Sequence, residues 1–364
     1  MGASGSIVPA AIPLTLKTST TIPALAQIAP AVIDRLVIVV TADGNVEARA
    51  LDAPATTLWT RKFEATHLTA GDGLAYLATT ASVTALDAET GADRWSAALQ
   101  EEGTRLAWRA GVLLIYSPTG DVAALKTSDG SQMWRASLGA PLTAPPSADA
   151  SLVVASLINR QVVALSISDG TRRWTAPLPI VPGPALVDGA RAFVTGGNGG
   201  LFALRTRDGK VDWRQDRIGG RLAGAPVSDG RDVFVVTVDG LLTGYNKGNG
   251  ALELTRPEKA SARAGARIDG AVIFVPLESG DVQGYLLGTG PPVPVARLMA
   301  PRAPGAKPSP GVVIAGSGDT LRIVTIMESP QAWSMLIYGK GRLTAAPLTT
   351  LPGRPLLPSP PGEP

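Results

Sequence analysis

Short runs of alternating apolar and polar residues recur along the chain, and each run ends at Asp, Asn, Gly or Pro. One of them is VTALDAETGADRW, residues 83–95, in which Val83 and Ala85 point to one side of an extended chain. The segment DAETG then supplies a turn, because Asp bonds its own backbone and Gly adopts a positive φ. The pattern predicts a strand, a turn and a second strand that carries Trp95.

This pattern repeats with fixed internal spacing. Copies start at Val122, Val162 and Leu201, and in each the glycine comes eight residues later and the tryptophan twelve residues later. Looser copies start at Leu242 and Val282. An early copy ends at Trp59, with a turn one residue shorter. The positions that the repeat assigns to structural docking are Trp59, Trp95, Trp134, Trp174, Trp213, Gly91, Gly130, Gly170 and Gly209.

Each copy follows another short apolar strand, and turn sequences such as ADGN, PTGD, GGNGG and ESGD join the two. An eighth, more degenerate pair occupies residues 321–326 and 334–339. The aligned apolar positions recur at intervals of 35 to 41 residues and then 53, at Leu51, Leu86, Leu125, Leu165, Leu204, Tyr245, Tyr285 and Tyr338.

A period near 40 residues with four short strands per unit predicts an all-β chain, an eight-bladed β-propeller of four-stranded antiparallel blades. Residues 23–346 form the propeller in this interpretation. Residues 1–22 form an N-terminal segment whose stretch 14–18 can close the ring, with 342–348 as the alternative. Residues 300–310 are expected to be a loop. The tail 347–364 has 7 Pro in 18 residues and is expected to be extended or disordered.

The recurrent tryptophan is interpreted as a structural residue. Late in each blade, a large flat side chain can lie against the backbone of the neighbouring blade, and the small alanine of the motif leaves room for it. Five of the seven tryptophans occupy this position. A periodic aromatic residue is therefore read as core rather than as a ligand site.

Composition and charge exclude several functions. The chain has no cysteine, which excludes disulfides, thiolate metal sites and a cysteine nucleophile. No apolar stretch is long enough for a transmembrane helix, and neither an export signal nor a lipobox cysteine is visible. The net charge is +3, and no dense Lys/Arg run occurs, so nucleic acid is not an expected partner.

The positive charge is concentrated in one part of the sequence. Residues 151–267 contain 16 basic and 10 acidic residues, whereas residues 1–150 contain 10 and 14. One interpretation of the basic segment is a docking surface for an acidic protein partner. The other is a solvated rim whose charges partly pair with one another. Glu101 and Glu102 represent the acidic counterpart, which is the first part of the sequence. The candidate partner-binding residues are Arg205, Arg207, Arg214, Arg217, Arg221, Arg263 and Arg267.

Candidate catalytic residues are few. His67 is the only histidine, so any triad or His-based metal site would need it and would have no second histidine; a structural or surface role is expected for it. The glycine-rich segment 196–200 joins two strands and is expected to be a hairpin turn rather than a phosphate loop. Asp43, Asn45 and Glu47 alternate like part of a calcium loop but lack the rest of it. We predict no catalytic, cofactor-binding or metal-binding residues.

The motif A-x-D-x-x-T-G-x-x-x-W, matched in full between Ala85 and Trp95, resembles the tryptophan-docking motif of the pyrroloquinoline-quinone (PQQ) propeller repeat family. The copies ending at Trp134, Trp174 and Trp213 keep Ala, Gly and Trp and replace Thr by Asp. The family contains quinoprotein dehydrogenases, which resemble one another in a calcium site of Glu, Asn and Asp, a catalytic Asp and usually a vicinal cysteine pair. This chain has no cysteine and no insertion for the quinone pocket, so that residue set does not carry over.

The non-catalytic branch of the family is the better match. It includes the propeller lipoprotein subunit of the bacterial outer-membrane β-barrel assembly machinery, and the similarity implies a non-enzymatic periplasmic scaffold. Such a scaffold would be a monomer within a hetero-complex, would bind protein partners in a membrane-embedded assembly, and would need no cofactor. Two alternatives stay open: a ligand-sensing extracytoplasmic domain of a larger receptor or kinase, and a degenerate quinoprotein dehydrogenase.

Overall fold

The computed structural model describes residues 14–257, 260–287, 293–298, 307–329 and 332–340. These residues form eight four-stranded antiparallel sheets. Within each sheet we call the strands A, B, C and D, in the order in which each blade is described below, and neighbours in this order are hydrogen-bonded. The prediction of an all-β, eight-bladed propeller of four-stranded antiparallel blades is therefore confirmed.

The first four blades follow one another along the chain, and each uses four successive strands. Blade 1 contains β2 (Ala31–Ile33), β3 (Leu36–Val40), β4 (Asn45–Ala50) and β5 (Thr57–Lys62). Blade 2 contains β6 (His67–Gly71), β7 (Leu74–Ala78), β8 (Ser82–Asp87) and β9 (Asp93–Ala98). Blade 3 contains β10 (Arg105–Arg109), β11 (Val112–Tyr116), β12 (Asp121–Lys126) and β13 (Gln132–Ser137). Blade 4 contains β14 (Ser147–Ala148), β15 (Leu152–Ser156), β16 (Gln161–Ser166) and β17 (Arg172–Pro177).

Blades 5 to 7 continue the series, and blade 8 joins the two ends of the chain. Blade 5 contains β18 (Pro182–Asp188), β19 (Arg191–Gly196), β20 (Leu201–Arg205) and β21 (Val211–Gln215). Blade 6 contains β22 (Val227–Ser228), β23 (Asp232–Val236), β24 (Leu241–Asn246) and β25 (Leu252–Pro257). Blade 7 contains β26 (Arg267–Asp269), β27 (Val272–Pro276), β28 (Val282–Leu286) and β29 (Val293–Leu298). Blade 8 contains β30 (Lys307–Ala315), β31 (Arg322–Glu328), β32 (Trp333–Lys340) and β1 (Leu14–Ile22), with a short 3-10 turn at Gly318–Thr320.

The ring is closed by the N-terminal strand. β1 pairs antiparallel with β32 from Leu14↔Lys340 to Ile22↔Trp333 and forms strand D of blade 8. This pairing covers the edge that β32 would otherwise leave open, and an open sheet edge invites pairing with other chains. The alternative closing strand, residues 342–348, and the tail 347–364 lie outside the described residues.

One expectation about the connections is wrong. Residues 307–310, taken above as part of a loop, belong to β30, where Lys307 pairs with Glu328 and Pro308 with Met327. The register of this pairing shifts between Pro308 and Val312. Because β30 is the edge strand of its sheet, proline there removes no ladder hydrogen bond from a second neighbour.

A β-bulge lies between strands C and D of every blade and fixes the true repeat register. In blade 2 it separates Ala85, which pairs with Trp95, from Leu86, which pairs with Asp93. The same shift in blade 1 places Arg49, not Leu51, at the position of Leu86. In blade 7 it pairs Gly284 with Ala296, so the tryptophan position there is two residues later than Pro294.

The core lies between neighbouring blades rather than within one blade. Val83 and Ala85 pack in one cluster with Leu113 and Leu125 of blade 3, whereas Leu86 packs in another with residues of blade 1. The alternation along strand C therefore points successive side chains to the two adjacent blades. No blade buries both faces without its neighbours, which explains why the repeat must close into a ring.

Candidate partner-binding surface

Five successive blade interfaces are held by the recurrent tryptophan. In each, the indole Nε1 of strand D donates a hydrogen bond to a main-chain carbonyl in the C–D turn of the next blade. The pairs are Trp59 to Ala88 (2.9 Å), Trp95 to Thr127 (2.8 Å), Trp134 to Ile167 (2.7 Å), Trp174 to Thr206 (2.7 Å) and Trp213 to Lys247 (3.1 Å).

The turn glycine of the next blade lies directly on each indole ring. Gly91, Gly130, Gly170 and Gly209 have φ between 70° and 72°, the left-handed region that glycine adopts without strain. A Cβ at these positions would lie 2.4–2.7 Å from the nearest ring atom of the preceding tryptophan. Gly250 makes the same contact with Trp213, at 2.6 Å, and was missing from the sequence-based set. The glycine thus serves both the turn and the docking contact.

At the interface between blades 6 and 7, the residue on strand D is smaller than tryptophan and the facing residue on strand C is larger than leucine. Leu254 replaces tryptophan in blade 6, and Tyr285 of blade 7 faces it from the position that leucine holds in blades 2 to 5. Tyr285 is 1% exposed and Tyr338, at the matching position of blade 8, is 3% exposed. The guanidinium of Arg256 also lies 5.9 Å from the centroid of the Tyr285 ring. The Tyr285 side chain therefore fills space at an interface where strand D carries leucine instead of tryptophan.

The closing interface, between blades 8 and 1, has an apolar core, but the residues at its docking position are polar. By register, Thr18 of β1 stands at the tryptophan position. On the blade 1 side stands Arg49, which forms a buried ion pair with Glu47 (Nη2 to Oε2, 2.6 Å) and donates a hydrogen bond to the Pro54 carbonyl (2.9 Å). This junction consequently lacks the aromatic latch of the first five interfaces.

The seven arginines of the basic segment do not share one surface. Successive strands of a blade run in opposite directions, so A–B and C–D turns lie at one end of the ring (the A–B end) and B–C turns and D–A connections lie at the other (the D–A end). Arg205 and Arg207 stand at the C–D turn of blade 5, at the A–B end. Arg217 and Arg221 stand in the connection from blade 5 to blade 6, at the D–A end.

Three of the seven arginines form ion pairs with nearby aspartates. Arg205 and Arg207 both face Asp208, at 3.1 Å and 3.6 Å, and Arg214 on β21 faces Asp216 at 3.2 Å. The backbone-bonded carboxylate of Asp208 has its pKa lowered, first by the Lys210 amide and then by Arg205 and Arg207. These three arginines fit the interpretation of a self-paired rim.

Arg217 and Arg221 are exposed, and neither forms an ion pair within the described part of the chain. The Val238 amide donates to the Arg221 carbonyl (2.7 Å), and the Ala262 amide donates to the Val238 carbonyl (2.9 Å). This backbone chain brings Arg221 and the connection that carries Arg263 to the same end of the ring. Arg263 itself lies 3.8 Å from Glu278, and Arg267 opens the inner strand of blade 7.

The acidic counterpart is not a free surface. Glu101 forms an ion pair with Arg135 at 2.8 Å, and Arg135 also contacts Asp121 at 2.5 Å. Arg135 lowers the pKa of the Asp121 carboxyl. Reversing the charge of Glu101 would therefore break a structural contact.

The remaining sequence candidates have structural roles. His67 opens β6, and its Nδ1 accepts a long hydrogen bond from the Leu106 amide (3.4 Å). Burial, and then the charge of Arg105, lower the pKa of His67. The glycine-rich segment 196–200 forms the B–C turn of blade 5, in which the Gly199 amide donates to the Gly196 carbonyl at 2.9 Å.

Asp43, Asn45 and Glu47, which alternate like part of a calcium loop, do not point to a common site. Thr41 donates to one carboxylate oxygen of Asp43 at 2.5 Å, and Asn45 donates to the other at 2.8 Å. Glu47 is buried beside Arg49 instead. Among the described residues no group of three or more His, Asp or Glu is placed to hold a metal ion, and no helix there is long and apolar enough to span a membrane.

Eight four-stranded blades, with indole rings docked on turn glycines at five of their interfaces, define a propeller of the PQQ-repeat class. A family model described as PQQ_2, outer membrane protein assembly factor BamB, matches residues 79–180 and 175–304, more than half of the chain. The chain belongs to this family, and the resemblance read from its sequence motif is confirmed.

Curated relatives carry the same description. The protein of Burkholderia pseudomallei is 25% identical over 238 residues, which cover 60% of this chain and 62% of the relative. That of Yersinia pestis is 30% identical over 196 residues, which cover 47% and 49%. The chain therefore spans less than two thirds of the length of these relatives.

Solved structures match over more of the chain. BamB from Moraxella catarrhalis has a TM-score of 0.66 at 17% identity, with 90% of this chain and 99% of that chain covered. The C-terminal WD40 domain of Sif2 has a TM-score of 0.72 at 10% identity, with 91% and 99% covered. At these identities the likeness shows the fold alone.

Proposed function

We propose that this protein is a non-catalytic, extracytoplasmic scaffold that assists the assembly or insertion of outer-membrane β-barrel proteins. The observation that carries the proposal is the family match over residues 79–304, together with relatives named as outer membrane protein assembly factors. The protein acts in this proposal as a single copy within a hetero-complex, on the periplasmic side of the outer membrane, and needs no cofactor.

The architecture supports a scaffold role. Five interfaces latched by tryptophan make a stiff ring, and a stiff ring presents the loops at its two ends in fixed positions. Binding between preformed surfaces loses less conformational entropy than binding that must order a loop.

The proposed docking surface is the D–A end of blades 5 to 7, around Arg217 and Arg221, with Arg263 in the next connection. The partner offers acidic side chains, because the planar guanidinium pairs carboxylates bidentately. Arg205, Arg207 and Arg214 are excluded from the surface in this narrower proposal, since each faces an aspartate.

Charge reversal at the D–A end tests the docking proposal. A partner is first captured from bacterial membranes with the wild-type protein. Arg217→Glu combined with Arg221→Glu should slow association with this partner about tenfold at low salt and leave the melting temperature nearly unchanged. The matched control is Arg207→Glu combined with Lys210→Glu, which makes the same change of net charge at two exposed residues at the opposite end of blade 5. Equal association rates for the two variants, or binding indifferent to salt, would remove this surface from the proposal.

The non-catalytic part of the proposal has its own test. The purified protein, supplied with pyrroloquinoline quinone and calcium, should not reduce a redox dye with alcohols or aldose sugars. Turnover in this assay would instead favour the quinoprotein dehydrogenase alternative.

A further inference from the structure

A cleft of about 530 Å³ lies between blades 8 and 1 at the A–B end of the ring. This volume is within the range of small-molecule sites, about 300–1,000 Å³. The wall on the side of blade 1 contains Val32, Asp34, Arg35, Leu51 and Asp52, and the wall on the side of blade 8 contains Ala315, Gly316, Thr320 and Arg322.

The cleft coincides with two departures from the repeat. The A–B connections of blades 1 to 7 have two or three residues, whereas that of blade 8 has six, residues 316–321, and includes the 3-10 turn Gly318–Thr320. A long connection on a rigid scaffold is where binding residues are commonly found. The docking tryptophan is also missing at this junction, where Thr18 takes its place.

Four charged side chains line the cleft without pairing with one another. No ion pair joins Asp34, Arg35, Asp52 or Arg322 within the described residues. Arg322 is nevertheless held in place, because its Nη1 donates to the carbonyls of Asp319 (3.0 Å) and Leu321 (2.9 Å). Both hydrogen bonds use the same nitrogen, so the remaining guanidinium donors stay available for a ligand.

The charge balance restricts what fits. A purely anionic ligand would bring its charge close to Asp34 and Asp52, and a purely cationic one would face Arg35 and Arg322. A ligand with separate positive and negative groups satisfies both pairs. The partly exposed apolar side chains of Val32 and Ala315 suit an aliphatic body between the two charges.

We propose that this cleft binds a zwitterionic amino acid or short peptide with aliphatic side chains. The ligand carboxylate pairs with Arg322 on the blade 8 wall, and its ammonium group pairs with Asp34 on the blade 1 wall. The bound ligand then connects the first and last blades at a junction where Thr18 stands at the position of the docking tryptophan. This site is independent of the docking surface at the D–A end.

Calorimetric titration of the full chain with three related probes tests the proposal. The dipeptide leucyl-leucine carries both charges, N-acetyl-leucyl-leucine lacks the ammonium group, and leucyl-leucine amide lacks the carboxylate. Leucyl-leucine should bind and raise the melting temperature, and each blocked peptide should bind at least about fivefold more weakly. Absence of binding at about 10 mM leucyl-leucine, or equal affinity for the three probes, would overturn the proposal.

Two variants assign the charges. Arg322→Gln should weaken the binding of leucyl-leucine and N-acetyl-leucyl-leucine and leave the binding of leucyl-leucine amide unchanged. Asp34→Asn should weaken the binding of leucyl-leucine and leucyl-leucine amide and leave the binding of N-acetyl-leucyl-leucine unchanged. Asn suits position 34 because Asp34 has a φ of 49°, which Asn tolerates. Arg172→Gln, on strand D of blade 4, is the control and should change no affinity. Unchanged binding in both cleft variants would place the peptide elsewhere and refute the assignment.

Discussion

Replacing Trp134 with alanine tests the docking account of the fold. Trp134 is 6% exposed, packs in the core between blades 3 and 4, and carries Gly170 on its ring. A buried aromatic covers about 150–250 Å² of surface, which at about 25 cal/mol per Å² corresponds to about 4–6 kcal/mol for the whole side chain. Alanine keeps part of that contact, so Trp134→Ala should lower the free energy of unfolding by about 3–5 kcal/mol.

Chemical denaturation followed by circular dichroism measures this loss, with two comparison variants. Trp134→Phe keeps a ring but leaves the Ile167 carbonyl without its indole donor, so we expect a smaller loss of about 1–3 kcal/mol. Trp333→Ala removes a half-buried tryptophan that is outside the docking repeat, and it should cost less than Trp134→Ala. Equal and small losses for all three variants would refute the docking account.

Three further predictions address the turns, pH and the closing junction. Gly130→Ala places an alanine at φ of 72° with its Cβ 2.4 Å from Trp95, whereas Gly139→Ala has φ of 79° and no atom within 4 Å of its Cβ. Gly130→Ala should therefore lower the melting temperature more than Gly139→Ala, and thermal denaturation of both variants separates the effect of the contact from that of backbone strain. Because His67 has a lowered pKa in the folded state, its contribution to stability should be present above pH 6.5 and decline as pH falls below that value; unfolding free energies from pH 8 to pH 5 should show this decline in the wild type and less of it in His67→Gln. Arg49→Met leaves Glu47 buried without its cation and should cost about 3–5 kcal/mol in urea denaturation, whereas adding Glu47→Leu should restore most of that loss; a double variant as unstable as the single one would contradict this reasoning.

The repeat made the fold predictable from sequence. Four copies with the same Ala, Leu, Gly and Trp at the same spacing fix both the strand period and the turn glycine. Because a blade cannot bury its faces alone, the eight hairpins imply a ring. The positive φ of Gly91 was also predictable, because a turn requires it. Its second role, as the surface that receives Trp59 from the previous blade, was not, since a one-dimensional pattern does not tell which blade a side chain faces.

The register failed where the turn chemistry was missing. The C–D turn of blade 1 has no glycine, so the leucine at 51 looked like the repeat position although Arg49 occupies it. A buried arginine is rarely assigned to a core position from sequence, because its burial depends on a partner, here Glu47, that pattern analysis does not pair with it.

The candidate partner-binding surface could be predicted only in part from the sequence. Seven arginines are close in sequence, yet an antiparallel blade sends neighbouring turns to opposite ends of the ring, which separates Arg207 from Arg217. The self-pairing of Arg214 with Asp216 depends on side-chain geometry that the sequence does not specify. The cleft at the closing junction arises from residues about 280 positions apart, a contact that only ring closure creates.

Site-specific photo-crosslinking in the native bacterium tests the central claim most directly. A photoreactive amino acid is placed at position 221, at the D–A end, and separately at position 207, at the A–B end of blade 5. The account predicts a crosslink from position 221 to a component of the outer-membrane β-barrel assembly complex, and none to that component from position 207. Crosslinks of equal yield from both positions, or none to any assembly component from position 221, would contradict it.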